Sequence, residues 1–173
     1  MDAARFAEPG GFEPVQLEPG SEWFYSDGGP NWLADLLTVR FRQDLNQVMR
    51  SRVLSPMGIA SGELVWRRNA YRPQTLAVGG ADVERRELGS GISSSVDVMA
   101  KLCLMLLRDG RRRDTRILPA GYASLAGSQR AELVGIPCRD PDPKKCPGAS
   151  KRYGLLFWNN ADGSSASSPA SSW

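Results

Sequence analysis

The chain has 173 residues, of which 41% are hydrophobic, and this is enough for one ordinary domain with a core. It contains no histidine, which excludes a Ser-His-Asp or Cys-His catalytic arrangement and histidine-containing zinc sites within these residues. A general base here is therefore Tyr, Lys, Asp, Glu or Cys. No apolar run has the length of a membrane span, and the first residues lack the pattern of a secretory signal, so neither is expected.

Basic residues slightly outnumber acidic ones, with 22 against 19. The acidic residues are enriched in residues 1–35, and the arginines of the remainder are scattered between acids. This pattern favours a solvated surface of mixed charge over a nucleic-acid interface, which needs basic residues clustered on one face. We therefore expect no nucleic-acid partner.

A long helical segment follows an N-terminal loop rich in Gly, Pro and Glu. Pro30 suits the first turn of a helix. The segment is either one helix or two helices with a break near Arg42-Gln43, and in the second case Asp44 caps the second helix. The helical run ends at Ser55 to Gly58. Apolar residues spaced three and four apart predict the buried face of this segment: Trp32, Leu33, Leu36, Leu37, Phe41, Leu45, Val48, Met49 and Val53.

A short strand is predicted at Gly62 to Trp66, and a further helix, separate from the run that ends at Gly58, is predicted to begin near Ser94. Ser94-x-x-Asp97 is a capping signal, and the helix after it stops at Gly110. This helix is apolar over more than half of its circumference, which predicts deep burial and a place for Cys103 in the core.

The remainder of the chain is predicted to be mostly loop. Arg111 to Arg116 is interpreted as a solvated turn, in preference to an anion-binding segment. Pro119 to Leu125 is a candidate short helix, and Tyr153 to Trp158 a buried strand. Residues 164–173 are Ser-rich and are expected to be disordered.

Three cysteines are present, and their spacing matches no metal-binding motif. Cys138 and Cys146 flank a loop rich in Pro, Asp and Lys. They would form a disulfide in an oxidising compartment, and two incidental thiols are an equal alternative. The compartment therefore stays open.

The segment from Pro19 to Gly29 is the strongest candidate for a catalytic site, and its candidate residues are Tyr25 and Asp27. They place a phenolic hydroxyl and a carboxylate two residues apart, directly before a predicted helix. Taken alone, such a tyrosine is usually structural, with its hydroxyl bonded to a loop carbonyl.

Several segments together resemble the β-lactamase and penicillin-binding-protein superfamily of serine hydrolases. The nearest similarity is to its branch of class C β-lactamases, D-alanyl-D-alanine carboxypeptidases and esterases. There a Pro-Gly-x-x-x-x-Tyr-Ser-Asn segment opens a helix, and a Pro-Leu/Met-Gly-Met/Ile segment closes the next one. The segments that carry the resemblance, in chain order, are Pro19 to Thr38, Val53 to Ile59, Gly89 to Ala100, Leu106 to Gly110, Arg116 to Pro119 and Tyr153 to Trp158.

The resemblance implies acyl transfer at an amide, ester or β-lactam carbonyl. In the family, a Ser-x-x-Lys serine attacks the carbonyl, while the Tyr of a Tyr-x-Asn motif and the Lys handle the proton. Tyr25 matches that Tyr, and Asp27 stands where the family has Asn; Asp⁻ can only accept hydrogen bonds, whereas Asn also donates. In a second register, Ser26-Asp27 resembles the Ser-Asp-Asn of class A enzymes. The Pro-Gly spacing favours Tyr25.

Two other family motifs are not found in the sequence. No lysine has a serine three residues before it, and no Lys/His-Thr-Gly occurs. We therefore expect a fragment of an α/β (α+β) β-lactamase/transpeptidase-like fold, mainly its helical domain plus one or a few strands. The partial hydrolase domain would span residues 1–163.

On this interpretation the isolated chain lacks the nucleophile and should be inactive. The resemblance implies no cofactor, and the substrate would be a small molecule or peptide with a carbonyl centre. The alternative is a non-catalytic binding or partner module of the same fold, which would self-associate through exposed apolar surface.

Overall fold

The computed structural model describes residues 18, 20–23, 28–70, 72–128, 131–133, 135–138 and 153–158. The chain divides into two compact units. Unit 1 comprises Met1–Pro14 and Ser26–Ile117, and unit 2 comprises Val15–Tyr25 and Leu118–Trp173.

Unit 1 begins with two helices separated by a break. Helix α1 spans Gly28–Phe41, and α2 spans Leu45–Met49 and continues into a π-helical turn, Arg50–Leu54. Arg42, in the break, has a φ of 52°, and the Asp44 side chain caps α2 by accepting from the Asn46 N–H at 2.9 Å. Of the two alternatives left by the sequence, the structure has the second, two helices with a break near Arg42-Gln43 and a cap at Asp44.

Two antiparallel strand pairs follow in unit 1. Strand β1, Leu64–Trp66, pairs with β4, Ile92–Ser94. Strands β2, Thr75–Val78, and β3, Ala81–Glu84, form a hairpin that turns at Gly79-Gly80, both with positive φ. The strand predicted at Gly62 to Trp66 is confirmed, and it begins at Leu64.

Helix α3 spans Val96–Leu107 and leads into a small hairpin of β5, Arg111–Arg112, and β6, Thr115–Arg116. Its cap is Ser95, one residue after the predicted Ser94, and the Ser95 hydroxyl accepts from the Val98 N–H at 3.3 Å. The helix stops as predicted at Gly110, which has φ 75° and donates to the Met105 carbonyl.

The predicted deep burial of α3 is wrong. Among its residues only Val98 and Met105 are buried, and Cys103 is an exposed free thiol instead of a core residue. The helix is apolar over more than half of its circumference, but within the described residues only the side that carries Val98 and Met105 is buried.

A tight contact behind β1 makes Gly91 sensitive to substitution. A Cβ at this position would lie 2.5 Å from the Glu87 carbonyl oxygen and 3.0 Å from Trp66 Cδ1. We expect Gly91→Ala to lower the free energy of unfolding by about 1–3 kcal/mol, since the obstacle is backbone. Gly29→Ala is the control, because a Cβ added at this position, in the first turn of α1, would meet no atom within 4 Å. This variant should raise the free energy of unfolding by about 0.5–1 kcal/mol. Urea denaturation of both variants checks this, and equal stabilities would contradict it.

Unit 2 holds a short helix and a hairpin among its described residues. Helix α4 spans Tyr122–Gly127, so the helix predicted at Pro119 to Leu125 lies a few residues later, and a 3-10 turn, Ala131–Leu133, follows. The buried Trp23 pairs with Cys138 in a β-bridge. The backbone N–H of Trp23 donates to the Pro137 carbonyl at 2.7 Å.

The single buried strand predicted at Tyr153 to Trp158 is wrong. The segment is a hairpin of β7, Tyr153–Gly154, and β8, Phe157–Trp158, because Leu155 and Leu156 both adopt positive φ and reverse the chain. Both leucines are exposed.

The remaining predictions in unit 2 concern the cysteine pair and the tail. Cys138 is disulfide-bonded, so the alternative of two incidental thiols is wrong for Cys138. Cys146, its partner in the disulfide alternative, lies outside the described residues. The Ser-rich segment 164–173 also lies outside them.

Candidate functional site

The two candidate catalytic residues, Tyr25 and Asp27, lie outside the described residues. The structure describes what flanks them: the buried Trp23 on one side and the start of α1 at Gly28 on the other. A helix therefore begins directly after the segment, as the motif requires, and the roles of Tyr25 and Asp27 stay predictions.

Helix α1 turns its polar face inward. Its buried residues are Asn31, Ala34, Asp35 and Thr38, while Leu36 is 65% exposed. The apolar face predicted to be buried is therefore the wrong one for this helix, since Trp32, Leu33 and Leu36 are all exposed. The reason is that polar partners from later in the chain hold the opposite side.

An ionic cluster of Asp35, Arg72 and Arg85 anchors that polar side. Asp35 Oδ2 lies 2.7 Å from Arg72 Nη1, and Asp35 Oδ1 lies 3.1 Å from Arg85 Nε. The side chains of both arginines are less than a tenth exposed. Two guanidinium groups thus share one carboxylate away from water, where an ion that lost its partner would be costly.

Two further contacts hold α1, one with Arg72 and one with Leu88. The Arg72 guanidinium lies over the Trp32 ring, 4.7 Å from its centroid, which is within the range of a cation–π interaction. The Asn31 side-chain oxygen accepts from the Leu88 N–H at 3.0 Å.

A second buried ion pair joins the cap of α2 to Arg86, two residues after β3. Arg86 Nε and Nη2 donate to the two Asp44 oxygens at 2.8 and 2.6 Å, and Arg86 Nη1 donates to the Trp66 carbonyl. The hydrogen bond to Asp44 raises the pKa of Arg86, and the charges of Asp44 and Glu84 act in the same direction against burial. The stability that this raised pKa contributes is present below the ordinary arginine pKa and is lost as pH rises through the raised value.

Glu87 is a third buried carboxylate, and its ion-pair partner, Arg67, is half-exposed. Its carboxylate accepts from Arg67 Nε and Nη2 at 2.6 and 2.8 Å, and its backbone carbonyl accepts from the Trp66 indole at 2.6 Å. Glu84 to Glu87 are consecutive charged residues, and each makes an ion pair.

The solvated surface of mixed charge predicted from the scattered arginines is therefore wrong for these residues. Asp35 and Asp44, the partners of Arg85 and Arg86, lie about 50 and 42 residues earlier in the chain. The signal that sequence reasoning passed over is the run Glu84-Arg85-Arg86-Glu87 itself, directly after a hairpin.

The chemistry available in the described part of the chain is limited. Its buried carboxylates, Asp35, Asp44 and Glu87, all form ion pairs with arginines. They therefore stabilise the fold, and none is a candidate general base. No group of three or more His, Cys, Asp or Glu side chains there is arranged to hold a metal ion. No helix within the same residues has the length and apolar character needed to cross a bilayer.

Comparison with known proteins adds no family. The chain matches no protein-family model. No curated protein matches it either. The resemblance to serine hydrolases rests on the sequence segments alone.

Proposed function

We propose that the chain is the helical part of a serine hydrolase of the β-lactamase and penicillin-binding-protein superfamily. The observation that carries the proposal is the order of the motif segments from Pro19 to Trp158. The element boundaries are compatible with it. Helix α1 opens directly after Asp27, Pro56-Met57-Gly58 closes the helical run, and Leu106 to Gly110 closes α3.

In this proposal Tyr25 is the general base and Asp27 assists in the site. A free tyrosine has a pKa of about 10 and is a poor base at neutral pH, so a neighbouring Lys⁺ must lower it. The tyrosinate then takes the proton of the nucleophilic serine as its oxygen bonds to the substrate carbonyl carbon, which gives an acyl-enzyme when the leaving group departs. The serine and the lysine of Ser-x-x-Lys are not among these residues.

The exposed face of α1 supports a role as part of a larger fold. Trp32, Leu36 and Val39 are spaced four and three apart, so they share one side of the helix, and all three are exposed. Apolar surface of this kind is normally covered, and the sheet of the parent hydrolase would cover it.

We expect the chain alone to form no stoichiometric acyl adduct with a fluorescent penicillin or a fluorophosphonate. A form extended on both sides by the flanking coding sequence should be labelled at a serine, and intact mass distinguishes the two results. An adduct on the chain alone would contradict the prediction of inactivity. Failure of both reagents to label the extended form would contradict the hydrolase proposal.

The second candidate is a non-catalytic binding module of the same fold. The exposed face of α1 favours it, since that face suits a partner or a second copy as well as a sheet. It predicts concentration-dependent association on size exclusion and binding of a hydrophobic dye. A sharp monomer peak with no dye binding would contradict it.

A further inference from the structure

Helix α3 and the hairpin after it form a surface that is both apolar and basic. Its apolar part is a stripe of exposed residues on α3, and its basic part is a set of exposed arginines around β5 and β6. We call it the basic-apolar surface, and its residues are Val96, Met99, Cys103, Leu107, Arg108, Arg111, Arg113 and Arg116.

The apolar stripe consists of Val96, Met99, Cys103 and Leu107, and it lies on the side of α3 that faces away from the core. Its residues are spaced three and four apart, so they share one side of the helix. Val96 is 86% exposed and Leu107 is 85% exposed, while Val98 and Met105 on the other side are buried. The helix therefore presents an unpartnered apolar side about 18 Å long, the length of its twelve residues.

The arginines bring a surplus of positive charge to one end of this stripe. Arg111 and Arg116 are directly opposite each other in the β5–β6 pair, where like charges are unfavourable. Within the described residues, Arg108 and Arg113 have no ion-pair partner. Arg116 pairs with Asp109 at 3.6 Å, so the surrounding acids neutralise the cluster only in part.

We propose that the basic-apolar surface docks on an anionic lipid bilayer, with the stripe in the headgroup and acyl boundary and the arginines on the lipid phosphates. An apolar helix side beside a cationic cluster is the arrangement that interfacial binding requires. Nucleic acid fits less well, because the stripe is aliphatic and offers no aromatic ring for stacking. A second copy would bring the same positive charge, whereas anionic lipid brings the opposite charge.

Co-sedimentation of the chain with vesicles tests the proposal. We expect binding to vesicles that contain phosphatidylglycerol, little binding to phosphatidylcholine alone, and loss of binding as salt rises. The pair Arg108→Gln and Arg113→Gln should weaken binding about 30-fold, which corresponds to about 1 kcal/mol per arginine. Leu107→Ser should weaken it about tenfold or more, because the leucine no longer leaves water.

Matched controls are available on α1, in the same unit. Leu36→Ser and Arg40→Gln remove an exposed leucine and an exposed arginine, and both variants should bind the vesicles as the unchanged chain does. Circular dichroism confirms that each variant is folded. Equal binding to both vesicle types, no binding to either, or loss with Leu36→Ser but not with Leu107→Ser would overturn the proposal. Dimers or a nucleic-acid complex that Leu107→Ser abolishes, without vesicle binding, would also overturn it.

Discussion

Replacing Asp35 with alanine is expected to lower the free energy of unfolding by about 3–5 kcal/mol. Asp35 is the carboxylate shared by Arg72 and Arg85, at 2.7 and 3.1 Å. Its removal leaves two buried guanidinium groups without their counter-ion. It also releases α1, because this face of the helix is held by polar contacts instead of apolar packing.

Urea denaturation followed by tryptophan fluorescence measures this effect. Asp82→Ala is the matched control, since Asp82 is exposed on β3, and it should change stability by less than about 0.5 kcal/mol. The combined change Asp35→Leu, Arg72→Met and Arg85→Met should recover most of the loss, because a buried ion cluster can be replaced by apolar packing. A loss under about 1 kcal/mol for Asp35→Ala would contradict the assigned role.

The second large effect is expected at Asp44, which has two functions at once. Its carboxylate accepts two hydrogen bonds from Arg86 and caps α2 at the Asn46 N–H. Asp44→Ala removes both and should cost about 3–5 kcal/mol, of which the cap is about 1 kcal/mol. The rest comes from the hydrogen bonds that Arg86 loses, since this buried guanidinium then keeps only Glu84 as an ion-pair partner among the described residues.

Asp44→Asn separates the two functions. Asparagine keeps the cap but not the charge, so this variant should be about 1 kcal/mol more stable than the alanine variant and still well below the unchanged chain. The same denaturation measurement gives all three values. Asp44→Ala within about 1 kcal/mol of the unchanged chain would show that the ion pair does not stabilise the fold.

The features of unit 1 that were predicted correctly depend on neighbours in sequence. The break after Phe41 and the cap at Asp44 follow from residues a few positions apart, and so does the end of α3 at Gly110. Capping and left-handed glycine are local chemistry, and a single sequence is sufficient to show them.

The features that were missed depend on distant partners. The polar side of α1 faces inward because Arg72 and Arg85 reach Asp35 from 37 and about 50 residues away, and apolar spacing carries no information about that pairing. Leu155 and Leu156 reverse the chain with positive φ, a conformation that leucine rarely adopts, so a continuous apolar run was interpreted as one strand. For Tyr25 and Asp27 the sequence is still the whole basis of the prediction.

The most direct test of the hydrolase proposal is the rate of acylation of the extended form with Tyr25→Phe. The proposal predicts that a fluorescent penicillin or fluorophosphonate labels the extended form, and that Tyr25→Phe slows labelling about 10²–10⁴-fold, the usual contribution of a general base. Tyr122→Phe, in α4, is the control and should label at the unchanged rate. Equal labelling rates for Tyr25→Phe and Tyr122→Phe, or no labelling of the extended form, would contradict the account.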